Sequence, residues 1–150
     1  MEDIGVSQVK LTYTNDVIIS ERLEVEDIAD CYEVFKSVFD ADTIDLKETV
    51  KALFLNNSNH VLACMNVSEG GTMSSSVDIK MIIQCALLTN AHKIIICHNH
   101  PSGDVTPSLD DIKATSILND ACNVMTINLL DHMIIASGDK CFSFVANKLM

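Results

Sequence analysis

The stretch KIIICHNHPSGDVTPSLDD, residues 93–111, decides how this 150-residue chain is expected to fold. Its apolar beginning, residues 93–97, predicts a short strand that is buried on both faces of a sheet. The polar residues 98–106 predict a loop, and a helix is expected from Pro107 to about residue 122. Because open sheets commonly bind ligands where a strand ends and a helix begins, we expect a functional site in this loop.

Three side chains in this stretch are suited to binding one metal ion. His98 and His100 are two residues apart at the predicted strand end, so both imidazoles can point to the same side. Pro101 and Gly103 favour a tight reversal after them, and the helix start can aim Asp111 back at the histidine pair. Two histidines and one carboxylate leave a fourth zinc position open for water, which is the arrangement of a catalytic site.

The same residues also have simpler interpretations. A His-x-His pair alone is weak support for a metal site. Ser108 and Asp111 lie three residues apart, which is also the spacing of a capping box at a helix start. Thr106 followed by Pro107 is typical of an N-cap and a first helical residue. A purely structural role for Ser108 and Asp111 therefore stays open beside the metal site.

The rest of the chain alternates between helical and strand patterns. Apolar residues recur at helical spacing over residues 24–39, and another helix is expected from a cap at Ser76 to about residue 90. Further strands are expected at residues 9–14, 50–55, 60–67, 124–130, 133–136 and 140–145. Turn residues 56–59 predict a hairpin. Strands that alternate with helices but include hairpins predict an α/β (mixed α+β) fold, with a mixed sheet flanked by helices.

Composition limits the possible functions. A length of 150 residues with 48% hydrophobic content suits a single domain, in which residues 1–45 form an acidic strand-and-helix portion. The net charge is -11 and Arg22 is the only arginine, which disfavours direct binding to nucleic acid or to an anionic membrane surface. No apolar run reaches the ~18 residues that a membrane span needs.

The six cysteines favour a reducing compartment. Most of them lie within apolar runs such as residues 94–97, and the first residues lack the basic and apolar regions of a signal peptide. We therefore expect reduced core cysteines in a cytoplasmic protein. No Cys-x-x-Cys pair occurs, so a thiolate zinc site is not expected.

Longer motifs make the chain similar to a known family. His98-x-His100, followed after seven residues by Ser108 and after two more by Asp111, resembles the JAMM motif of JAB/MPN-domain metallopeptidases. Four further strings resemble the RadC-like branch in particular: residues 53–56, 98–104, 106–108 and 130–132. The resemblance covers residues 45–145. It implies a JAB/MPN-type fold with a curved mixed sheet, similar in outline to the cytidine deaminases.

The resemblance also implies an activity and roles for particular residues. It implies a zinc-dependent hydrolase, a metallopeptidase or isopeptidase that cleaves an amide bond, in which His98, His100 and Asp111 hold one zinc ion. Glu48, which lies fifty residues ahead of His98, matches the family's catalytic glutamate by position. Glu48 would activate a zinc-bound water, and Ser108 would stabilise the oxyanion. The implied partner is a peptide or protein substrate, whose identity and whose scissile bond stay open, as does the oligomeric state.

The chain also departs from the family's pattern. Longer RadC proteins carry an N-terminal helix-hairpin-helix region, which we do not find here, and residues 77–80 differ from the His-Pro-Arg-Glu string of many relatives. The alternative function is a non-catalytic DNA-repair accessory or a scaffold. A zinc deaminase is disfavoured because neither His-x-Glu nor Pro-Cys-x-x-Cys occurs. His132 is interpreted either as an outer partner of a metal ligand or as a structural histidine.

Overall fold

The central element of the fold is a five-stranded mixed sheet in the order β2-β1-β3-β4-β5. The computed structural model describes residues 5–10, 12–70 and 77–150. The strands are β1 (Thr49–Leu55), β2 (Val61–Glu69), β3 (Lys93–Asn99), β4 (Asn128–Ala136) and β5 (Lys140–Ser143). Strand β3 pairs antiparallel with β1 and parallel with β4, while β1–β2 and β4–β5 are antiparallel pairs. The predicted α/β (mixed α+β) class and the β1–β2 hairpin are therefore confirmed.

In the described part of the chain, three helices flank the sheet, and each begins where a polar side chain accepts a backbone N–H. They are α1 (Ile28–Val38), α2 (Ile79–Leu88) and α3 (Leu109–Val124), with a short 3-10 turn at Ile19–Glu21 ahead of them. Asp27, Asp78 and Ser108 cap α1, α2 and α3 in that order, each accepting from the residue three positions on. Within the described ranges, no helix has the length and apolar character that crossing a bilayer requires.

Side-chain alternation along the central strands builds two separate cores. One set of buried residues packs between the sheet and the pair α2 and α3, and includes Val50, Ala52, Phe54, Ile94, Ile96 and Leu118. The other set packs between the sheet and α1, and includes Leu53, Leu55, Ile95, Cys97, Met133 and Phe35. Strand β3 is thus buried on both faces, as its apolar sequence predicts. Any polar side chain on its last residues lies at the boundary of one of these cores.

The pairing of β3 with β4 contains a bulge. Ile94 pairs with Leu129, whereas the next residue, Ile95, pairs with Asp131. Leu130 is therefore an extra residue in β4. Beyond the bulge, Ile96 pairs with His132, and the side chains of this pair face α3 rather than α1.

Several predicted boundaries were wrong, for local reasons. The helix expected over residues 24–39 begins at Ile28, because the Asp27 side chain accepts the N–H of Asp30 and ends the extended segment. The helix expected from Pro107 begins at Leu109, because Ser108 rather than Thr106 is the cap. The strands expected at 124–130 and 133–136 form the single strand β4.

The N-terminal strand prediction was also wrong. Residues 9, 10 and 12–14 form no strand, and Val9 is exposed, because the weak alternation there buries nothing. The Tyr13 hydroxyl donates to the carbonyl of Leu62 at 2.7 Å, which places this segment against β2. Leu11 and the expected cap Ser76 lie outside the described residues.

The cysteines are divided between the core and the surface. Cys31, Cys97 and Cys122 are buried as predicted. Burial raises the pKa of the Cys31 thiol to about 12 and that of Cys122 to about 11, so both are protonated at neutral pH. Cys64 and Cys141 are exposed, contrary to prediction, because they lie on the outer strands β2 and β5.

Candidate metal centre

The end of β3 presents three polar residues in a row at the edge of the two cores. His98 and Asn99, both fully buried, occupy the last two positions of the strand and therefore point to opposite faces. His100 follows the strand, where its backbone N–H donates to the carbonyl of Ile135 at 3.0 Å. The His100 ring contacts the His98 ring, so the two side chains lie on the same side. The His100 side chain is 16% exposed and is therefore closer to solvent than that of His98.

The first turn of α3 brings a carboxylate to the histidine pair. Ser108 and Asp111 form a capping box, in which the Asp111 N–H donates to Ser108 Oγ at 3.1 Å and the Ser108 N–H donates to Asp111 Oδ2 at 2.7 Å. The same carboxylate, only 2% exposed, faces His98 and His100. The capping role and the proximity to the histidines are thus compatible, because the two uses employ different lone pairs.

Three ligand atoms converge between the end of β3 and the start of α3. His98 Nε2 lies 2.9 Å from His100 Nε2 and 3.3 Å from Asp111 Oδ1, and His100 Nε2 lies 3.5 Å from Asp111 Oδ2. Zinc bonds of about 2.0–2.1 Å at tetrahedral angles place neighbouring ligand atoms about 3.3 Å apart. The donor set therefore fits one tetrahedral ion with a fourth position open. Among the described residues, no other group of His, Cys, Asp or Glu has this convergence.

The outer nitrogen of His100 shows which of its ring atoms is available to a metal. His100 Nδ1 lies 2.7 Å from the carbonyl oxygen of Asp104. Because a carbonyl only accepts, Nδ1 carries the proton and donates it. In the neutral imidazole, the lone pair is then on Nε2, the atom that faces His98 and Asp111.

The charges of the site are strongly coupled. Burial raises the pKa of Asp111, but hydrogen bonds from His100 and His98 outweigh it and hold that pKa far below its ordinary value. The hydrogen bond to Asp111 raises the pKa of His100, with burial opposing the shift. The carboxylate is therefore ionised at neutral pH and supplies the negative charge that a divalent ion requires.

His132, which the sequence left with two interpretations, lies directly behind His98. His98 Nδ1 is 2.8 Å from His132 Nε2, and His132 Nδ1 is 2.5 Å from the hydroxyl of Thr115 on α3. Its ring stacks on Phe144 with 4.3 Å between centroids. Burial, followed by the neighbouring His98, lowers the pKa of His132 well below its ordinary value, so the ring is neutral. His132 thus contacts His98 and stands outside the set of converging atoms.

Glu48 lies immediately before β1, at the mouth of the site. Its Oε1 atom is buried and has no hydrogen-bond partner among the described residues. Burial raises the pKa of Glu48, while His98 and His100 lower it. The side chain lines an open cleft of about 380 Å³ together with His100, Ser102 and Thr106. The Glu48 side chain therefore reaches this cleft close to His100, with one of its carboxylate oxygens buried and unpaired.

Asn99 connects Glu48 to the strand that carries the histidines, a role that sequence reasoning missed. Its side-chain amide donates to the carbonyls of Ile44 and Lys47 at 2.6 and 2.8 Å, and its Oδ1 accepts the N–H of Thr49 at 2.7 Å. Two of the bonded residues, Lys47 and Thr49, are the sequence neighbours of Glu48. The only available signal was a buried amide between two histidines, because buried amides must find hydrogen-bond partners.

Comparison with known proteins agrees with the geometry. The family model described as a RadC-like JAB domain matches residues 25–149. A search of curated proteins found no match.

Proposed function

This chain belongs to the RadC-like JAB domain family, and from that membership we propose that it is a zinc-dependent hydrolase that cleaves an amide bond. One observation carries the proposal, namely the convergence of His98, His100 and Asp111 beside the unpaired oxygen of Glu48. Three protein ligands, an open position and a nearby carboxylate form the arrangement that hydrolytic zinc sites use.

In this proposal, the two histidines and the aspartate hold one zinc ion. His98 and His100 bind through Nε2, and Asp111 contributes a carboxylate oxygen whose charge offsets part of the ion's charge. Zinc in this position supplies a Lewis acid that polarises a substrate carbonyl and makes water more acidic.

Glu48 and Ser108 perform the proton and charge chemistry. Glu48 accepts a proton from the attacking water and later delivers it to the nitrogen of the leaving amine. The raised pKa of Glu48 supports both steps, because a group whose pKa lies closer to the working pH both accepts and releases a proton readily. Ser108 Oγ accepts the N–H of Asp111, which orients the hydroxyl and leaves its own proton free for an oxygen that becomes negative.

We propose that the substrate is a peptide or protein segment. The cleft beside Glu48 is open and is lined by the polar residues Ser102, Asp104 and Thr106. Sites for small molecules usually enclose most of the ligand surface in an apolar pocket, which this cleft does not offer. An extended chain can cross it and form hydrogen bonds with the polar lining.

Metal content tests the proposed ligands. We expect about one zinc ion per chain in the native protein purified without chelator, and none in a His98→Ala/His100→Ala variant. His92→Ala is the matched control, because His92 is exposed and lies outside the ligand set. Native protein that holds no metal and takes up none when zinc is added would contradict the metal centre and favour a scaffold.

Turnover tests the proposed reaction. Zinc-loaded protein should cleave members of a panel of peptide and isopeptide amides, and Glu48→Gln should retain zinc while losing about 10²- to 10⁴-fold in rate. Glu69→Gln, an exposed carboxylate at the end of β2, is the control and should keep full activity. A Glu48→Gln variant as active as the native protein would exclude the proposed base.

A further inference from the structure

We propose that a groove at the start of α1 binds a segment of a partner protein in which a large apolar side chain lies beside lysine or arginine. The groove has a volume of about 320 Å³ and is formed by α1, the first halves of β3 and β4, and the residues that follow β5. It shares no lining residue with the cleft beside Glu48. The proposal is therefore independent of the hydrolase activity proposed above.

The groove presents apolar surface to an incoming side chain. Val25 and Ile95 line its buried part and are 6% and 3% exposed. Ile28, the first residue of α1, is 41% exposed, and Val145, which follows β5, is 46% exposed. Single exposed apolar residues are common on protein surfaces. Here two of them border one concave groove with a buried apolar lining, which is the setting in which a partner's anchor side chain is buried.

Carboxylates without partners border the same groove. Glu26 and Asp27 both line it, and both are exposed. Neither carboxylate forms an ion pair with a described residue. Asp30 adds a third carboxylate next to them, because its Oδ2 accepts the N–H of Glu26 at 3.0 Å. The negative charge around the apolar surface is therefore free to meet the charge of a partner.

The other two charged residues of the lining are engaged within the fold. Asp131 accepts the hydroxyl of Ser143 at 2.5 Å and is 7% exposed. Lys93 Nζ donates to the carbonyl of Asn57 at 2.9 Å and to Asn59 Oδ1 at 2.6 Å, so the hairpin loop holds the ammonium group. The lining thus contains three carboxylates and one ammonium group, and that ammonium group already has two acceptors.

The start of α1 offers few donors to an anion, although helix N-termini often bind anions. The N–H of Asp30 donates to Asp27 Oδ1 at 2.9 Å, and the N–H of Cys31 donates to the Asp27 carbonyl at 3.1 Å. A phosphate or a nucleic acid would therefore meet carboxylates rather than free donors. A second copy of the chain is disfavoured because each copy carries a net charge of -11. Lysine or arginine beside an apolar anchor supplies both the donors and the charge that the groove lacks.

Selection from a library of short random peptides tests this chemistry. The native chain is immobilised and the selection is run at about 150 mM salt, where exposed charges more than about 8 Å apart are largely screened. We expect the enriched peptides to have a positive net charge and to carry lysine or arginine next to a large apolar residue. Enriched peptides that are acidic or lack an apolar residue, or no enrichment over the bare support, would overturn the proposal.

Matched variants locate the binding of the most enriched peptide, measured by fluorescence anisotropy. Ile28→Ala should weaken its affinity by about 10-fold, as truncation of an anchor contact does, whereas Ile117→Ala, at a 49% exposed position on α3, should stay within about twofold. Glu26→Gln should weaken the affinity by about two- to fivefold, whereas Asp120→Asn, an exposed position on α3, should leave it unchanged. Thermal unfolding checks that all four variants fold.

Two outcomes would show that the groove does not bind such a segment. Equal peptide affinity in Ile28→Ala and Ile117→Ala would place the binding elsewhere and overturn the proposal. A native dimer in sedimentation that becomes a monomer in Ile28→Ala would show that a second copy fills the groove, which would also overturn it. None of these measurements involves zinc or turnover, so a native protein that hydrolyses no amide would contradict only the proposed function.

Discussion

Replacing Glu48 by glutamine should stabilise the metal-free protein at neutral pH. The Glu48 carboxylate is partly buried, its Oε1 has no partner among the described residues, and burial raises its pKa. A carboxyl group whose pKa is higher in the folded than in the unfolded state destabilises the fold when it ionises. Glutamine has almost the same shape without the charge, so it removes this penalty. The same substitution should abolish turnover, which would make Glu48 a residue that reduces stability in favour of function.

The expected gain is small but measurable. A buried polar group without a partner destabilises a protein by about 1–3 kcal/mol, and by more when it is charged, and glutamine removes only the part that is due to the charge. Solvent screening at this partly exposed position favours the lower value, so we expect a gain of about 1 kcal/mol. For a chain of this length, that corresponds to a rise in Tm of roughly 2–4 °C.

The dependence on pH has a definite sign. For a carboxyl with a raised folded pKa, full stability is present below the unfolded pKa and is lost as the pH rises through the folded pKa. The advantage of Glu48→Gln should therefore be largest at about pH 7 and shrink as the pH falls to about 4 and below, where the native carboxyl becomes protonated in both states.

Calorimetry with chelator present at both pH values provides the test. Glu69→Gln is the control, because Glu69 is exposed and its pKa is lowered by hydrogen bonds from Lys47 and then Asn66. Removing that charge should bring no gain at pH 7. If Glu48→Gln melts at or below the native Tm at pH 7, or gains equally at pH 4, the reasoning about the buried charge is refuted.

Two further predictions concern the residues that position the site. Asn99→Ala should lower the free energy of unfolding by about 2–4 kcal/mol, because three hydrogen bonds disappear, and it should speed hydrogen exchange at the Thr49 amide. The control Asn66→Ala, at an exposed position, should change neither quantity. Slow exchange of the Thr49 amide in Asn99→Ala would argue against the connection. Ser108→Ala should lower the free energy of unfolding of the metal-free protein, measured by urea denaturation, by about 1 kcal/mol through loss of the helix cap. Ser108→Thr keeps a hydroxyl and should lower that free energy by less. Equal stability of the three proteins would show that the cap contributes nothing.

The convergence of His98, His100 and Asp111 was predictable from sequence because its geometry is local. His98 and His100 are two apart at a strand end, and Ser108 and Asp111 are three apart in a first helical turn, so spacing alone places each pair on one side. The mixed sheet followed from alternating patterns. The caps at Asp27 and Ser108 set the first residues of two helices, which therefore begin a few residues after the expected positions. Hydrophobic periodicity does not resolve helix starts to that precision.

The supporting residues were not predictable in the same way, because they depend on pairing between distant strands. The contact of His98 with His132 requires the parallel register of β3 and β4, across 34 positions of the chain. The bonds from Asn99 require the antiparallel neighbour β1 and the loop before it. Glu48 could be proposed only through family resemblance, since its position beside the ligands follows from that same neighbour.

The bulge at Leu130 decides which side of the sheet His132 occupies. If Leu130 were instead taken into regular pairing from Ile94 and Leu129 onward, His132 would lie opposite Cys97, on the α1 side, and Asp131 would lie opposite Ile96, on the side of His98. A buried carboxylate would then stand where the His132 ring now contacts His98. Deleting Leu130 would remove the bulge and leave His132 opposite Ile96, so related sequences that keep the contact between His98 and His132 are expected to have either this bulge or one residue fewer before Asp131.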